Sequence, residues 1–564
     1  MSLGKVDHFP RSATSIMHAT TTQKLVLPLF ILTTPFLVFL NYNSYCFTCA
    51  ETWLALGGII FSAVLCSLVM LLGGWKLSAL MMALLIMGFI DGQFSTKLKD
   101  SFAEWIVILL FTGMQTFVLC RFLKEKFYTI ATAVFSTFFI VTLLQIALPS
   151  HETDSFFAHR QKSAAHAPRR IIHLILDEHI GVEGIPTDVE GGPAIKNLIM
   201  QFYLKNGFQL FGGAYSHYFY TQLSIANMLN FASENSSATL LNGHGPYVLV
   251  RNQYFNLLSQ GKYHIEVLWP GWFDYCSNAG VVITRCIEAY WGGLRDFSKL
   301  ALPTSQKLQV LYSRYLIQFS VFTALLNTVV LPFQAKFAAL DASIYQWTWA
   351  IYPERTRTNS LDTLTDLPKL WKDILSLPHG SALFVHLPFP HYPYVALSDC
   401  SIRKPNRYFL WNYRGLFDRP PTNTIESRKQ RYQQYFEQLQ CLYLRLDELF
   451  DRMRAAGVYD DSIILVHGDH GSRIVLTEPT LETRPALTRQ DLVDGYSTLF
   501  AMKVPGETGG YDKSPRPLEQ LLETFAFEAG LTSTKTSSKT AEPYVYLIAD
   551  GDKQALQIPY LSPH

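Results

Sequence analysis

Charge is scarce in this chain of 564 residues. Lys, Arg, Asp and Glu make up 16% of it, against about 25% in an ordinary soluble protein. The charges nearly cancel, at +2 with histidine neutral, and there is no long basic run. That argues against a nucleic-acid-binding surface, which needs clustered cations. Cysteine is sparse as well, with eight residues. Cys46 and Cys49 have CxxC spacing but no second pair to complete a zinc site, so a redox or metal motif there is disfavoured. In an oxidising compartment Cys276 and Cys286 suit a local disulfide; isolated free thiols are the alternative.

Charge is missing altogether from five apolar stretches near the start of the chain. They run over Leu25–Leu40, Trp53–Leu72, Leu77–Ile90, Trp105–Leu119 and Tyr128–Leu148. A helix crossing a hydrocarbon core needs about 20 residues, so these predict a bundle of five transmembrane helices over 25–149, after a cytoplasmic tail at 1–24. Pro28 and Pro35 in the first stretch are tolerated in membrane helices. No intramembrane carboxylate marks an ion pathway, which disfavours a transporter. Alternate loops carry seven and two basic residues: Lys5, Arg11, Lys24, Lys76, Arg121, Lys124 and Lys126 against Lys97 and Lys99. The positive-inside rule then puts the N-terminus in the cytoplasm, and five spans put everything after them outside the cytoplasmic membrane.

Residues 150–170 form a polar linker, and 171–564 have the composition of a globular domain. Short apolar runs recur there: IIHLIL (171–176), FQLFGGAY (208–215), YHIEVLW (263–269), ALFVHL (382–387), SIILVH (462–467) and YSTLFAMKV (496–504). Each has the length of a buried strand. Helical patterns lie between them. The clearest is 425–456, where Tyr435, Leu439, Leu442, Leu446, Leu449, Phe450 and Met453 recur on one face before Gly457. Alternating strands and helices imply an α/β fold with a mostly parallel central sheet and helices on both faces. Ligands of such sheets collect at the carboxyl ends of the strands.

Carboxylates and imidazoles stand at those ends: Asp177 and Glu178 after the first run, His386 and His391 around the end of 382–387, His467, Asp469 and His470 after 462–466. Buried charge is costly unless paired or metal-bound. A mixed Asp/Glu/His set suits a divalent metal, zinc or manganese rather than magnesium or calcium.

These segments resemble, in order, the motifs of the alkaline phosphatase/sulfatase superfamily. HGDHG at 467–471 is similar to its C-terminal metal motif, and LILDEH at 174–179 to its acidic motif after the first strand. TQLSIANML at 221–229 resembles the start of the nucleophile helix of phosphoethanolamine transferases, with Ala226 where proline is usual. HLPFPHYPY at 386–394 resembles their histidine-containing substrate loop. Several spans ahead of an external domain also resemble phosphoethanolamine transferases and lipoteichoic acid synthases. The C/S-x-P-x-R motif of classical sulfatases is absent, which favours phosphoryl over sulfate-ester chemistry.

The resemblance implies an alkaline phosphatase-like catalytic domain over 171–564 with Thr221 as nucleophile. A metal would be held by Asp177 and/or Glu178, Asp469 and His470, with Thr221 as a further ligand. His386 and His391 would bind substrate oxygens, protonate a leaving group or hold a second metal, and Arg473 would contact phosphate. The implied partners are a phospholipid donor and an envelope glycan or lipid acceptor. The alternatives are a hydrolase using water and a catalytically degenerate scaffold. Read alone, a threonine opening a helix is more often a cap. Two further segments draw expectations from their composition. The apolar stretch 308–333 is expected as an amphipathic helix on the outer leaflet or a helix buried against the sheet. GWFDYCSNAG at 271–280 is expected as a structured loop near the cleft, with no assigned role.

Overall fold

The computed structural model describes residues 13–94, parts of 110–147, 155–157, 167–234, 241–277 without 243–246, parts of 281–319, 359–403, 424–533, 542–548 and 555–560. The chain divides into two units, Met1–His151 with Leu294–Thr356, and Glu152–Gly293 with Arg357–His564.

The first unit contains α1 (Ala13–Tyr42), α2 (Ala50–Leu72), α3 (Gly74–Phe94) and α4 (Glu125–Ala147). Within these, Thr21–Tyr42, Ala50–Leu72 and Lys126–Ala147 are long and apolar enough to cross a membrane, while Gly74–Ile90 is a shorter apolar helix. Five spans are therefore reduced to three clear ones, because the third stretch is short and most of Trp105–Leu119 lies outside the described residues. Leu54, Phe61, Leu65 and Leu68 on α2 are exposed, an apolar surface of a size that soluble proteins rarely show. Cys46 and Cys49, in the turn between α1 and α2, form a disulfide.

The described part of 308–333 does not pack against the sheet, one of its two expected places. It belongs to the helix Thr304–Leu316, which packs within the first unit. The Tyr312 hydroxyl donates to the Ala55 carbonyl at 3.2 Å, and Tyr315 packs edge-on against Phe36 at 5.1 Å. Polar-tipped aromatic rings suit such a border between apolar helices and water.

The second unit is built on eight strands: β1 (Ile171–Leu176), β2 (Gln209–Phe211), β3 (His264–Pro270), β4 (Arg285–Ala289), β5 (Ser381–Leu387), β6 (Ile463–Gly468), β7 (Phe500–Lys503) and β8 (Gly510–Asp512). Their order is β8-β2-β7-β6-β1-β5-β3-β4. Five neighbouring pairs run parallel; only β7 runs against its neighbours β6 and β2. Side chains alternate across a strand. On β1, Ile172, Leu174 and Leu176 join a core with the helices Gly192–Lys205, Asn359–Leu375 and α6 (Ile425–Ala455). Ile171 and Ile175 join the opposite core with α5 (Thr221–Leu229) and the helices Gln253–Gln260 and Leu518–Glu528. Helices therefore cover both faces, as a buried parallel sheet requires. The sequence-derived stripe of α6, from Tyr435 to Met453, is wholly buried.

The three central strands end together. Leu176 of β1 is opposite Gly468 of β6 and Leu387 of β5. The residues that follow these ends are thus delivered to one edge. Two disulfides secure this unit, Cys276–Cys286 and Cys400–Cys441. The first was legible from spacing; the second joins a loop to the buried helix α6. A hairpin, Tyr544–Ile548 with Ala555–Pro559, lies over the segment Tyr215–Tyr218. Tyr560 stacks on Tyr215 at 4.5 Å, Tyr544 on His217 at 4.2 Å and Tyr546 on Tyr218 at 5.3 Å. The Tyr546 amide donates to the His217 carbonyl at 2.8 Å.

Candidate active site at the sheet edge

Thr221 is the first residue of α5, and Tyr220 occupies the cap position without a side-chain capping bond. The threonine hydroxyl is thus not spent on closing the helix. Its Oγ1 lies 2.9 Å from His470 Nε2. The helix start is bolted to the HGDHG segment: the Ser224 hydroxyl donates to the Asp469 carbonyl, and Ser216 Oγ donates to Ser224 Oγ at 2.8 Å. The unsatisfied amides and dipole of α5 favour negative charge at this end.

The glycines of HGDHG answer a spatial demand. A Cβ at Gly468 would strike the Thr498 hydroxyl and the His179 carbonyl, and one at Gly471 would strike the backbone of Asp494 and Gly495. Asp494 is itself fixed by Arg428 Nη2 at 2.7 Å and by Gln490 at 2.8 Å.

Asp177, Asp469 and His470 offer ligand atoms that all lie within 4.8 Å of one another. His470 Nε2 is 3.0 Å from Asp469 Oδ2 and 3.9 Å from Asp177 Oδ1. All three residues are buried, yet Asp177 Oδ1 and Asp469 Oδ2 accept no hydrogen bond. Unsatisfied buried carboxylate oxygens are costly, and two converging on one imidazole nitrogen form an oxygen-rich set with one nitrogen, a mixture that suits zinc or manganese. Burial, then the neighbouring Asp469 and Glu178 carboxylates, push the Asp177 carboxyl well above its ordinary range. Burial works the same way on Asp469, but His470 and His386 hold that carboxyl well below the usual range. The cluster is short of positive charge, and a divalent cation would correct that.

Glu178 is engaged elsewhere. Its Oε1 receives Arg473 Nη2 at 2.6 Å and Nε at 2.7 Å, and its Oε2 receives the Tyr392 amide at 3.3 Å. It therefore stands apart from the three-residue cluster, although its own amide donates to Asp469 Oδ1 at 3.0 Å. Both partners of this ion pair adopt left-handed backbone, at φ +61° for Glu178 and +54° for Arg473. Such conformations cost on the order of 1–3 kcal/mol each and tend to mark functional sites. Burial opposes the charge of Glu178, but His391 and Arg473 hold its carboxyl below the usual range. Arg473, expected to meet phosphate, thus has two of its donors on a carboxylate. The pair borders a cavity of about 100 Å³, lined also by Phe219, Tyr392, Tyr394 and Arg431.

His391 Nε2 lies 3.2 Å from Arg473 Nη2 and 3.4 Å from Glu178 Oε1. His386 lies on the other side of the cluster, with Nε2 3.7 Å from Asp177 Oδ2. Burial keeps this imidazole neutral by pushing its pKa down to about 4. The structure thus brings Asp177, Thr221, Asp469, His470 and His386 to one centre, and joins Glu178, Arg473 and His391 beside it. Sequence reasoning missed the tyrosines behind both groups. The Tyr435 hydroxyl donates to the Glu178 carbonyl at 2.8 Å, and the Tyr443 hydroxyl meets His179 Nε2 at 2.9 Å. Their signal was tyrosine where a helix stripe would be served by phenylalanine.

No family model matches the chain. The lipoteichoic acid synthase of Staphylococcus saprophyticus is 28% identical over 147 residues, which are 25% of this chain and 19% of that protein. The chain thus spans about a fifth of the length of this curated relative. Among solved structures, the C-terminal periplasmic domain of EcEptC from Escherichia coli is 13% identical, with a TM-score of 0.38 over 71% of this chain and 94% of that domain. An alkaline phosphatase superfamily protein from Vibrio parahaemolyticus is 12% identical, with a TM-score of 0.38 over 70% of this chain and 76% of that one. These are similarities to the kind of protein that the motif order resembles.

Proposed function

We propose that the chain is a membrane-anchored, metal-dependent enzyme that moves a phosphorus-containing group from a phospholipid to an envelope glycan or lipid, through Thr221. The observation that carries this is the hydroxyl of Thr221 at the start of α5, beside His470 Nε2 and two carboxylate oxygens that accept no hydrogen bond.

Asp177, Asp469 and His470 would hold the cation, beside the Thr221 hydroxyl. When bound, it lowers the cost of forming an alkoxide and neutralises charge on the transferring group. His470 Nδ1 faces the Gly471 carbonyl at 2.9 Å, which can only accept, so Nδ1 carries the proton and Nε2 turns a lone pair towards the site. Thr221 Oγ1 forms a bond to phosphorus as the bond from phosphorus to the lipid alcohol breaks. The threonine proton passes to solvent, and the departing alcohol oxygen takes one up. An acceptor hydroxyl then forms its own bond to phosphorus, and Thr221 regains its proton.

An external location is supported by chemistry at two places. The turn after α1 and the second unit both carry disulfides, which persist in oxidising compartments. The distribution of basic residues agrees. The test uses purified full-length protein with zinc or manganese and a head-group-labelled phospholipid. Thr221→Ala should abolish turnover and a mass adduct on the wild-type threonine should be trapped. Label on a glycan or lipid acceptor indicates transfer, and label in water indicates hydrolysis. Unchanged turnover in Thr221→Ala would overturn the proposal.

A further inference from the structure

Four buried or half-buried imidazoles around the site share one habit. In His179, His391, His467 and His470, Nδ1 faces a backbone carbonyl, of Ile180, Tyr392, Gly468 and Gly471 respectively. A carbonyl can only accept, so each of these rings carries a proton on Nδ1, and in a neutral ring Nε2 then presents a lone pair. His386 differs: its Nδ1 faces the hydroxyl of Tyr275 at 2.7 Å.

Tyr275 is fully buried, on the segment 271–277 that received no role from sequence. Its ring packs against Phe273 at 4.6 Å and Phe384 at 5.0 Å. Asp274 tightens the turn behind it by accepting the amides of Cys276 at 2.7 Å and Ser277 at 3.1 Å. The Cys276–Cys286 disulfide ties this turn to β4. Among the described residues, His386 Nδ1 is the phenol's hydrogen-bond partner. Burial, and then the Asp469 and Asp177 carboxylates, keep the phenol protonated. If Nδ1 carried a proton towards the phenol oxygen, the buried O–H would have nothing to donate to, at a cost of about 1–3 kcal/mol. The phenol therefore donates and Nδ1 accepts. The proton of the neutral ring must then reside on Nε2, the atom turned towards Asp177 Oδ2 without a hydrogen-bond partner.

We propose that Tyr275 is a positioning residue that fixes His386 as the Nε2–H tautomer, making it a hydrogen-bond donor to an oxygen of the transferring group and not a ligand of a second cation. This rests on the phosphoryl-transfer reading for what His386 donates to, but the tautomer is read from the Tyr275–His386 hydrogen bond whatever the ring meets. Opposite tautomers at His470 and His386 thereby divide the labour: one offers a lone pair, the other a proton.

The tautomer is read in the full-length protein, in lipid nanodiscs, by nitrogen-15 spectroscopy of labelled histidine. His386 is assigned by the signal lost in His386→Gln. Wild type should show His386 protonated at Nε2, and Tyr275→Phe should shift that signal. A wild-type His386 protonated at Nδ1 overturns the proposal. With the labelled phospholipid, Tyr275→Phe should lower kcat at least about tenfold without loss of bound zinc. His386→Gln keeps an N–H donor, so adding Tyr275→Phe to it should cost no more. Independent, multiplied losses in the double variant would mean a merely structural tyrosine and overturn the proposal; so would loss of zinc from either single variant. If Thr221→Ala retains turnover, the functional reading fails, and the spectra still decide the tautomer.

Discussion

Asp177→Asn should stabilise the metal-free protein and at the same time abolish its stabilisation by metal. The two effects have one cause. Asp177 and Asp469 turn hydrogen-bond-free oxygens towards a common point, and their ligand atoms lie within 4.8 Å of each other. Two unit charges at that 4.8 Å limit repel by about 0.9 kcal/mol in bulk water and by about 3.5 kcal/mol at an effective dielectric constant of about 20. Burial first, and then that repulsion, push the Asp177 carboxyl well above its ordinary range. Replacing its carboxylate by an amide of equal size removes the repulsion and leaves the packing alone, so a gain of about 1–3 kcal/mol is expected in chelator. A bound metal stabilises the wild type by about 2.7 kcal/mol at a hundredfold excess over its dissociation constant, and the variant forfeits most of this. The assay is thermal unfolding of the detergent-solubilised full chain, with chelator and then with zinc or manganese. The wild type should rise sharply on adding metal, while the variant should start higher and barely move. A variant that unfolds earlier than wild type in chelator, yet keeps the full metal shift, would refute the reasoning.

Three other outcomes follow from the same geometry. Gly471→Ala drives a methyl group into the backbone of Asp494 and Gly495; it should cost about 1–3 kcal/mol by denaturant titration and reduce bound metal, as measured by elemental analysis. His173 and His467 share a proton between Nε2 atoms 2.7 Å apart, and burial pushes His467 down to about 4. In an unfolded chain the His467 imidazole takes up an additional proton near pH 6.5, before the folded one does, so stability should fall as pH drops from about 6.5 towards 4, by about 3 kcal/mol for His467 alone; a flat denaturant midpoint over that window would contradict this. Tyr546→Ala removes the ring stacked on Tyr218 and should lower both thermal stability, by about 3 kcal/mol or more, and phospholipid turnover; unaltered turnover would show that the hairpin does not steady the nucleophile.

Much of the architecture was legible because periodicity is a local property. The β1, β5 and β6 runs are short, apolar and followed by acids or histidines, and each ends where its pattern stops. The stripe of α6 was readable to the residue for the same reason. What could not be read depends on pairings across hundreds of positions. Asp177 and Glu178 are adjacent and alike in charge, and the left-handed turn at Glu178 parts them, one towards Asp469 and His470 and the other towards Arg473. Cys400–Cys441 joins a loop to the middle of a helix, which no spacing rule anticipates. The helix Thr304–Leu316 carries enough apolar surface for several partners, and composition does not choose among them. Tyr275 looked like one more aromatic in a loop; its role lies in the atom it meets, 111 positions away.

The hairpin over Tyr215–Tyr218 has a consequence for the order of events in the making of the protein. The Tyr546 hydroxyl reaches back 313 positions to Ser233, and the rings around it hold the stretch that leads into Thr221. Contacts so distant in sequence form late, because the intervening chain must first be confined. Newly made protein would therefore pass through a stage in which the stretch leading into Thr221 lacks its cover of tyrosine rings. Full activity would then wait until residues 544–560 have docked on that stretch.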